Sequence, residues 1–245
     1  MLEFLKKLFR NNSANMSENS PIREEEDLQE PAEKNHSLDY LWERLQEEKY
    51  DDVIEAAGNV LKEKISLEKQ QEALRLTAAA YFHKEQFELA ELFYKKLTGT
   101  SANPDDWFSL ATTSTLNRNI ETGEKAYEKA IELHQAYGTD KNLPVPQVIY
   151  YYMLSLRDIK QYKKAFKQLN RLKDIYCDLQ ITDSTFLYIR GVPFFETTLE
   201  GSRIILENIH KVSAQTFINE LKKKIDDEGK QYLKNFETTL QYREQ

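Results

Sequence analysis

From Leu38 to about Tyr176 the apolar residues keep a helical spacing, and that spacing breaks near residues 49–51, 65–70, 84–86, 99–104, 117–120, 138–146 and 159–161. Helices of roughly 10–17 residues joined by breaks this short have to fold back on one another as antiparallel pairs. The stretch that most resists this reading is "VIYYYMLSL", residues 148–156, whose β-branched and aromatic content is that of a strand. A single strand among helical pairs would find no backbone to pair with, so helix is the better expectation. Successive helical residues point about 100° apart, so the three tyrosines face three different neighbours. The turn chemistry agrees: 7 glycines and 6 prolines in 245 residues are too few for a strand-rich chain, which needs a turn every 8–12 residues or so. The fold class predicted is all-α.

The helical segments repeat. In "EALRLTAAAYFHKEQFELAELFYKKLTGTSANP" small Ala78 is followed by Tyr81, Phe87, Ala90 and Tyr94. In the next unit Trp107, Leu110, Ala111, Gly123, Tyr127 and Ala130 stand in matching register, with Pro104 suited to a first helical turn. A third unit starts at Pro146 and carries Tyr162, Ala165, Leu169 and Leu172, and a leading unit offers Leu41, Tyr50 and Val53. Small residues let two helices approach at their crossing while the aromatics fill the flanking gaps. Over residues 37–176 this pattern resembles the tetratricopeptide repeat family, departing from it at Thr77, Ser114 and Met153.

The resemblance implies a right-handed α-solenoid of helical hairpins whose concave groove takes a peptide or helix of a partner protein. Carried over position by position, the groove would be lined by Arg75, Phe82 and His83, then Phe108 and Thr112, then Tyr150, Leu154 and Arg157. In the same register Tyr152 packs on its own partner helix and Tyr151 on the preceding repeat. The Lys/Asn/Arg clamp with which some members hold acidic tails is missing, because Ala79, Thr112 and Leu154 stand in its place. An apolar or shape-recognised ligand is expected instead. The same residues also suit a plain structural role against the next repeat or the C-terminal helices.

Residues 177–245 predict helices that close the solenoid: a short one over 182–190 stopped by "RGVP", one bearing Phe194, Phe195, Leu199, Ile205, Leu206, Ile209 and Val212 on a single face, and a last one over about 214–242 with Gly229 in its middle. An array end needs this combination of an apolar inner face and a charged outer one.

Three charged or amphipathic features lie beside the repeats. Lys160, Lys163, Lys164, Lys167 and Arg171 make one helical face basic, which is either a solvated face or a site for an acidic partner, the chain's own acidic segment included. Residues 11–36, with two prolines and the run Glu24 to Asp27, hold nothing that could form a core and predict a disordered acidic linker. Ahead of it, "MLEFLKKLFR" sorts completely on a helical wheel: Leu2, Phe4, Leu5, Leu8 and Phe9 with Met1 on one half, Glu3, Lys6, Lys7 and Arg10 on the other. Ten residues are too few to stay helical in water. A lipid surface, a groove on a partner or on this chain itself, and an idle terminus all fit the segment.

Chemistry is sparse. His36, His83, His134 and His210 are scattered without the spacing of a helical metal pair, and one cysteine, Cys177, excludes an internal disulfide and a cysteine-built zinc site. No glycine-rich phosphate loop or serine nucleophile motif occurs. The net charge of −7 argues against nucleic-acid binding. No catalytic residue, metal or cofactor is expected. The expected function is a non-enzymatic adaptor or chaperone-like binding module. The rival is a peripheral membrane-associated assembly factor held by residues 1–10. No apolar run approaches the ~20 residues that span a bilayer, so the expected location is cytoplasmic, at the inner face of a membrane in the rival reading.

Overall fold

The computed structural model describes residues 38–241; residues 1–10 and the linker 11–36, with the expectations attached to them, lie outside the described residues. Twelve helices and no strand occur among the described residues. In chain order they are α1 (Leu38–Gln46), α2 (Tyr50–Val60), α3 (Leu67–His83), α4 (Phe87–Thr98), α5 (Pro104–Leu116) and α6 (Ile120–Tyr137). There follow α7 (Val145–Asp158), α8 (Tyr162–Leu179), α9 (Ser184–Ile189), α10 (Phe195–Glu207), α11 (Lys211–Lys224) and α12 (Asp227–Thr238).

Helices α1–α8 pair as α1–α2, α3–α4, α5–α6 and α7–α8, and the second helix of each pair packs on the first of the next. The four hairpins share one turn. Glu48, Glu85, Arg118 and Lys160 each take a left-handed backbone, at φ 61°, 59°, 64° and 64°. The next residue's N–H then reaches back to a carbonyl near the end of the helix: Lys49 to Arg44, Gln86 to Tyr81, Asn119 to Ser114 and Gln161 to Leu156, at 3.0, 3.0, 2.8 and 2.8 Å. This closure satisfies carbonyls that the ending helix leaves orphaned. Gly191 repeats it after α9, with the Val192 N–H donating to the Leu187 carbonyl at 2.9 Å.

The hairpins approach closely where the sequence has small residues. A Cβ on Gly123 of α6 would stand 2.3 Å from the Thr115 hydroxyl and 3.1 Å from the Ala111 carbonyl of α5. The buried residues form two clusters, one over α1–α3 from Leu41 to Ala80 and a larger one running from Leu74 to Phe236. The larger core thus passes without a break from the hairpins into the C-terminal helices. There α10 packs on α7 and α8, α11 on α8, and α12 on α10 and α11.

Two details correct the sequence reading. Tyr152 stacks on Tyr127 of α6, ring centroids 4.1 Å apart, a contact with the preceding hairpin that the sequence reading gives to Tyr151. The single last helix is two, broken at Ile225–Asp226. Asp226 caps α12 by accepting from the Gly229 N–H at 3.0 Å, and it also accepts from the Thr182 N–H at 2.8 Å and hydroxyl at 2.5 Å. Gly229 therefore sits in a first turn, not at a bend.

Candidate functional site

Each residue expected in the groove has a partner within the chain. The Arg75 guanidinium of α3 grips Asp106 of α5 with two hydrogen bonds, 2.7 and 2.8 Å, and also pairs with Glu72, which accepts from the Trp42 indole of α1. Burial alone would lower the Arg75 pKa; the bonds and charge of Asp106, then Glu72, outweigh it and raise the value. Phe82 is buried edge-on to Phe87 at 5.5 Å, and His83 stacks on Tyr50 at 5.3 Å. Phe108 is buried, and the Thr112 hydroxyl, also buried, donates to the Phe108 carbonyl at 3.2 Å.

Tyr150, Leu154 and Arg157 lie along one face of α7, and α10 covers that face. The Tyr150 hydroxyl donates to the Thr197 carbonyl at 3.3 Å, and Arg157 Nη1 donates to the Gly201 carbonyl at 3.0 Å. Gly201 is what lets α10 seat there, since a Cβ on it would stand 3.1 Å from the Tyr150 hydroxyl and 3.2 Å from a Leu154 methyl. Tyr150 is 6 % exposed and its pKa is raised, by burial first.

Along the basic face, Lys160, Lys163 and Lys167 are exposed. Lys164 pairs with Glu124 of α6 at 2.5 Å, and Arg171 donates to the Tyr127 hydroxyl and lies over that ring. Two of the five basic residues thus hold α8 to α6.

Next to Tyr150 the surface opens into a cleft of about 510 Å³. One wall is Leu143, Pro144, Gln147, Tyr150 and Tyr151, from the 138–144 loop and the start of α7. The other is Tyr188, Gly191, Val192, Pro193, Phe194 and Thr197, from the end of α9 to the start of α10. Both walls are anchored. Asn142 donates to Asp105 at 2.9 Å and to Asn103 at 3.0 Å, and the Leu143 N–H donates to Asp105 at 3.2 Å, tying the loop to the start of α5. Burial raises the Asp105 pKa despite those bonds. On the far side the Tyr176 hydroxyl donates to the Pro193 carbonyl at 2.7 Å.

No lining residue carries a charge. Of the lining, Tyr188 is 73 % and Phe194 44 % exposed, so apolar surface continues outward from the cleft. This volume falls in the range of small-ligand and side-chain pockets. Walls of aromatic rings and prolines can bury apolar side chains.

Of the expected groove residues, only Tyr150 lines this cleft. Of the remaining lining, the sequence reading packs Tyr151 on the preceding repeat and Phe194 on the apolar face of the next helix; it gives the others no part in a site. The usable signal was compositional: in "YIRGVPFF" aromatic residues flank a Gly–Val–Pro break. Phe194, which the spacing assigns with Val212 to the apolar face of the next helix, is exposed, as Val212 is.

A smaller cleft of about 190 Å³ borders Cys177, lined by Lys173, Asp174, Glu220, Lys223 and Lys224. Burial pushes the Cys177 thiol up, against the pull of Lys173, which disfavours the thiolate. Among the described residues no group of side chains is arranged to hold a metal ion, and no helix is long and apolar enough to cross a membrane. No protein-family model, curated protein or solved structure matches the chain.

Proposed function

We propose that this chain is a non-enzymatic protein–protein interaction module, a right-handed α-solenoid of tetratricopeptide-like hairpins closed by its C-terminal helices. It takes an apolar segment of a partner protein in the cleft between the start of α7 and residues 188–197. The observation that carries this reading is the uncharged cleft of about 510 Å³ whose apolar surface runs out over Tyr188 and Phe194. Patches of this kind rimmed by polar surface mark interaction sites. The four identical turns support the repeat architecture. The site differs from the full-length concave groove that the family resemblance implies, because α10 occupies that face at Leu154 and Arg157.

Burying one Leu or Phe of a partner contributes roughly 1.5–3 kcal/mol. Two or three such anchors, less the cost of association, reach affinities on the order of micromolar. The test places a photo-crosslinking amino acid at Tyr188 in the native cell, then measures the captured segment against the purified chain by calorimetry. Wild type should bind it at least tenfold more tightly than the Thr197→Arg variant, whose long side chain fills the cleft. Equal affinity for both would place the interaction elsewhere.

A further inference from the structure

We propose that the partner is a second copy of this chain: about a twofold axis, the 188–194 wall of each copy seats in the cleft of the other. This rests on the reading that the cleft accepts an apolar segment, and it names that segment.

A twofold interface brings the same patch of two copies together, so the patch has to carry both what is inserted and what receives it. This surface carries both. The receiving part is the cleft. The inserted part is the last turn of α9, whose Tyr188 and Ile189 are the two most exposed large hydrophobic side chains among the described residues. That turn is held before any partner arrives. Asp183 caps α9 by accepting from the Phe186 N–H at 2.8 Å, Leu187 is buried, and Arg190 lies over the Phe186 ring, 5.4 Å from its centroid. Gly191 then turns the chain at φ 64° against the opposite wall, where a Cβ on it would stand 2.6 Å from Pro144 Cγ. Inserted and receiving parts are thus fixed relative to each other, and little ordering cost is left for association.

Charge favours a like partner. Asp140 and Lys141 are the charged residues of segment 138–147, Arg190 and Glu196 are those of segment 188–197, and all four are exposed. Each wall is therefore neutral, although the chain as a whole carries −7. A wall of one copy meets the opposite wall of the other with a base for each acid, and the like-charge contact that would oppose association is avoided. Size agrees as well. The two segments hold ten residues each, together at the lower end of the roughly 20–30 residues, about 800 Å² a side, that a stable interface of standard size uses. Interfaces of that size associate on the order of micromolar or more tightly.

Sedimentation velocity of the full chain from about 1 to about 100 μM tests this. Wild type should pass from monomer to dimer, with the sedimenting mass doubling. Tyr188→Asp with Ile189→Asp removes the inserted part, and Thr197→Arg fills the receiving part. Each variant should associate at least tenfold more weakly at an unchanged melting temperature, since all three side chains are exposed. Mixed in equal amounts, the two variants should associate at least tenfold more tightly with each other than either does with itself. One native contact is then restored, and in the other the introduced acids meet the introduced base. A wild-type chain that stays monomeric at about 100 μM overturns the proposal. So does a dimer that both variants leave unchanged, and so does the absence of recovery on mixing, since the two parts then do not exchange across an axis. The two readings fail separately. If the full chain is monomeric and a captured peptide of another protein binds wild type but not Thr197→Arg, the cleft is a partner site that does not take its own copy. If dimer and captured peptide both ignore Thr197→Arg, the cleft is neither.

Discussion

Arg75 joins three hairpins through one guanidinium. It holds Asp106, a carboxylate almost fully buried, and meets Glu72, which is itself bonded by Trp42. Removing one partner of a buried pair strands the other's charge, which costs roughly 3–5 kcal/mol. Arg75→Met is therefore expected to lower the urea midpoint by an amount corresponding to about 3 kcal/mol, and adding Asp106→Leu should recover most of the loss. A double-mutant cycle measures this directly. Glu91 and Asp226 carry a pH signature. Burial tends to raise the Glu91 pKa, but Lys95, Asn117 and Asn119 prevail and lower it; for Asp226 the bonds from Thr182 and Gly229 prevail in the same way. A depressed carboxylate adds stability that is fully present above its ordinary value, about 4.5 for Glu and 3.8 for Asp, and lost as pH falls through the folded value. Asp105, raised by burial, has the opposite sign: its contribution is largest in acid and is lost as pH rises through its folded value. Urea midpoints between pH 7 and 3 should fall for wild type, and fall less steeply for Glu91→Gln combined with Asp226→Asn.

At the scale of elements, the shared turn puts Glu, Glu, Arg and Lys where glycine is conformationally at ease. A left-handed residue other than glycine costs about 1 kcal/mol. Glu85→Gly, Arg118→Gly and Lys160→Gly should each stabilise the protein by roughly 0.5–1 kcal/mol, read as a rise in melting temperature. Gly123 behaves in reverse. Alanine there gains about 1 kcal/mol of helix propensity, but its methyl would collide with the Thr115 hydroxyl and with backbone atoms of α5, which cannot turn aside. Gly123→Ala should cost about 2 kcal/mol net in denaturant titration. The sequence announced neither the turn nor the split between α11 and α12. No turn-specific residue marks a left-handed Glu or Lys, and the cap at Asp226 is completed by Thr182, 44 residues earlier in the chain.

At the scale of the molecule, α10 lies on the Tyr150 and Leu154 face of α7, and the larger core runs through both. A chain ended at Leu179 should therefore bind a hydrophobic dye and melt over a broad range, where the full chain melts cooperatively. Calorimetry and dye fluorescence check this. The α1–α2 hairpin belongs to the smaller cluster, and units with less buried apolar contact open locally at lower free energy. Its amides should exchange by a local opening of lower free energy than those of α7 and α8.

Sequence alone determined that the chain is helical and roughly where the helices of residues 38–176 begin and end, because 3.6-residue periodicity and helix-breaking stretches are local properties. It also placed "VIYYYMLSL" in a helix whose three tyrosines face three different ways, with Tyr150 toward the groove; in the structure Tyr150, Tyr151 and Tyr152 are all buried. Tertiary structure decided what each buried side chain touches: that Arg75 serves Asp106, that Tyr152 stacks on Tyr127, and that Tyr150 meets α10. The cleft was decided at the same level. Its walls come from segments about 45 residues apart in the chain, brought together by the seat that Gly201 leaves for α10. A close approach of that kind depends on two surfaces fitting, and neither segment's own pattern contains the fit.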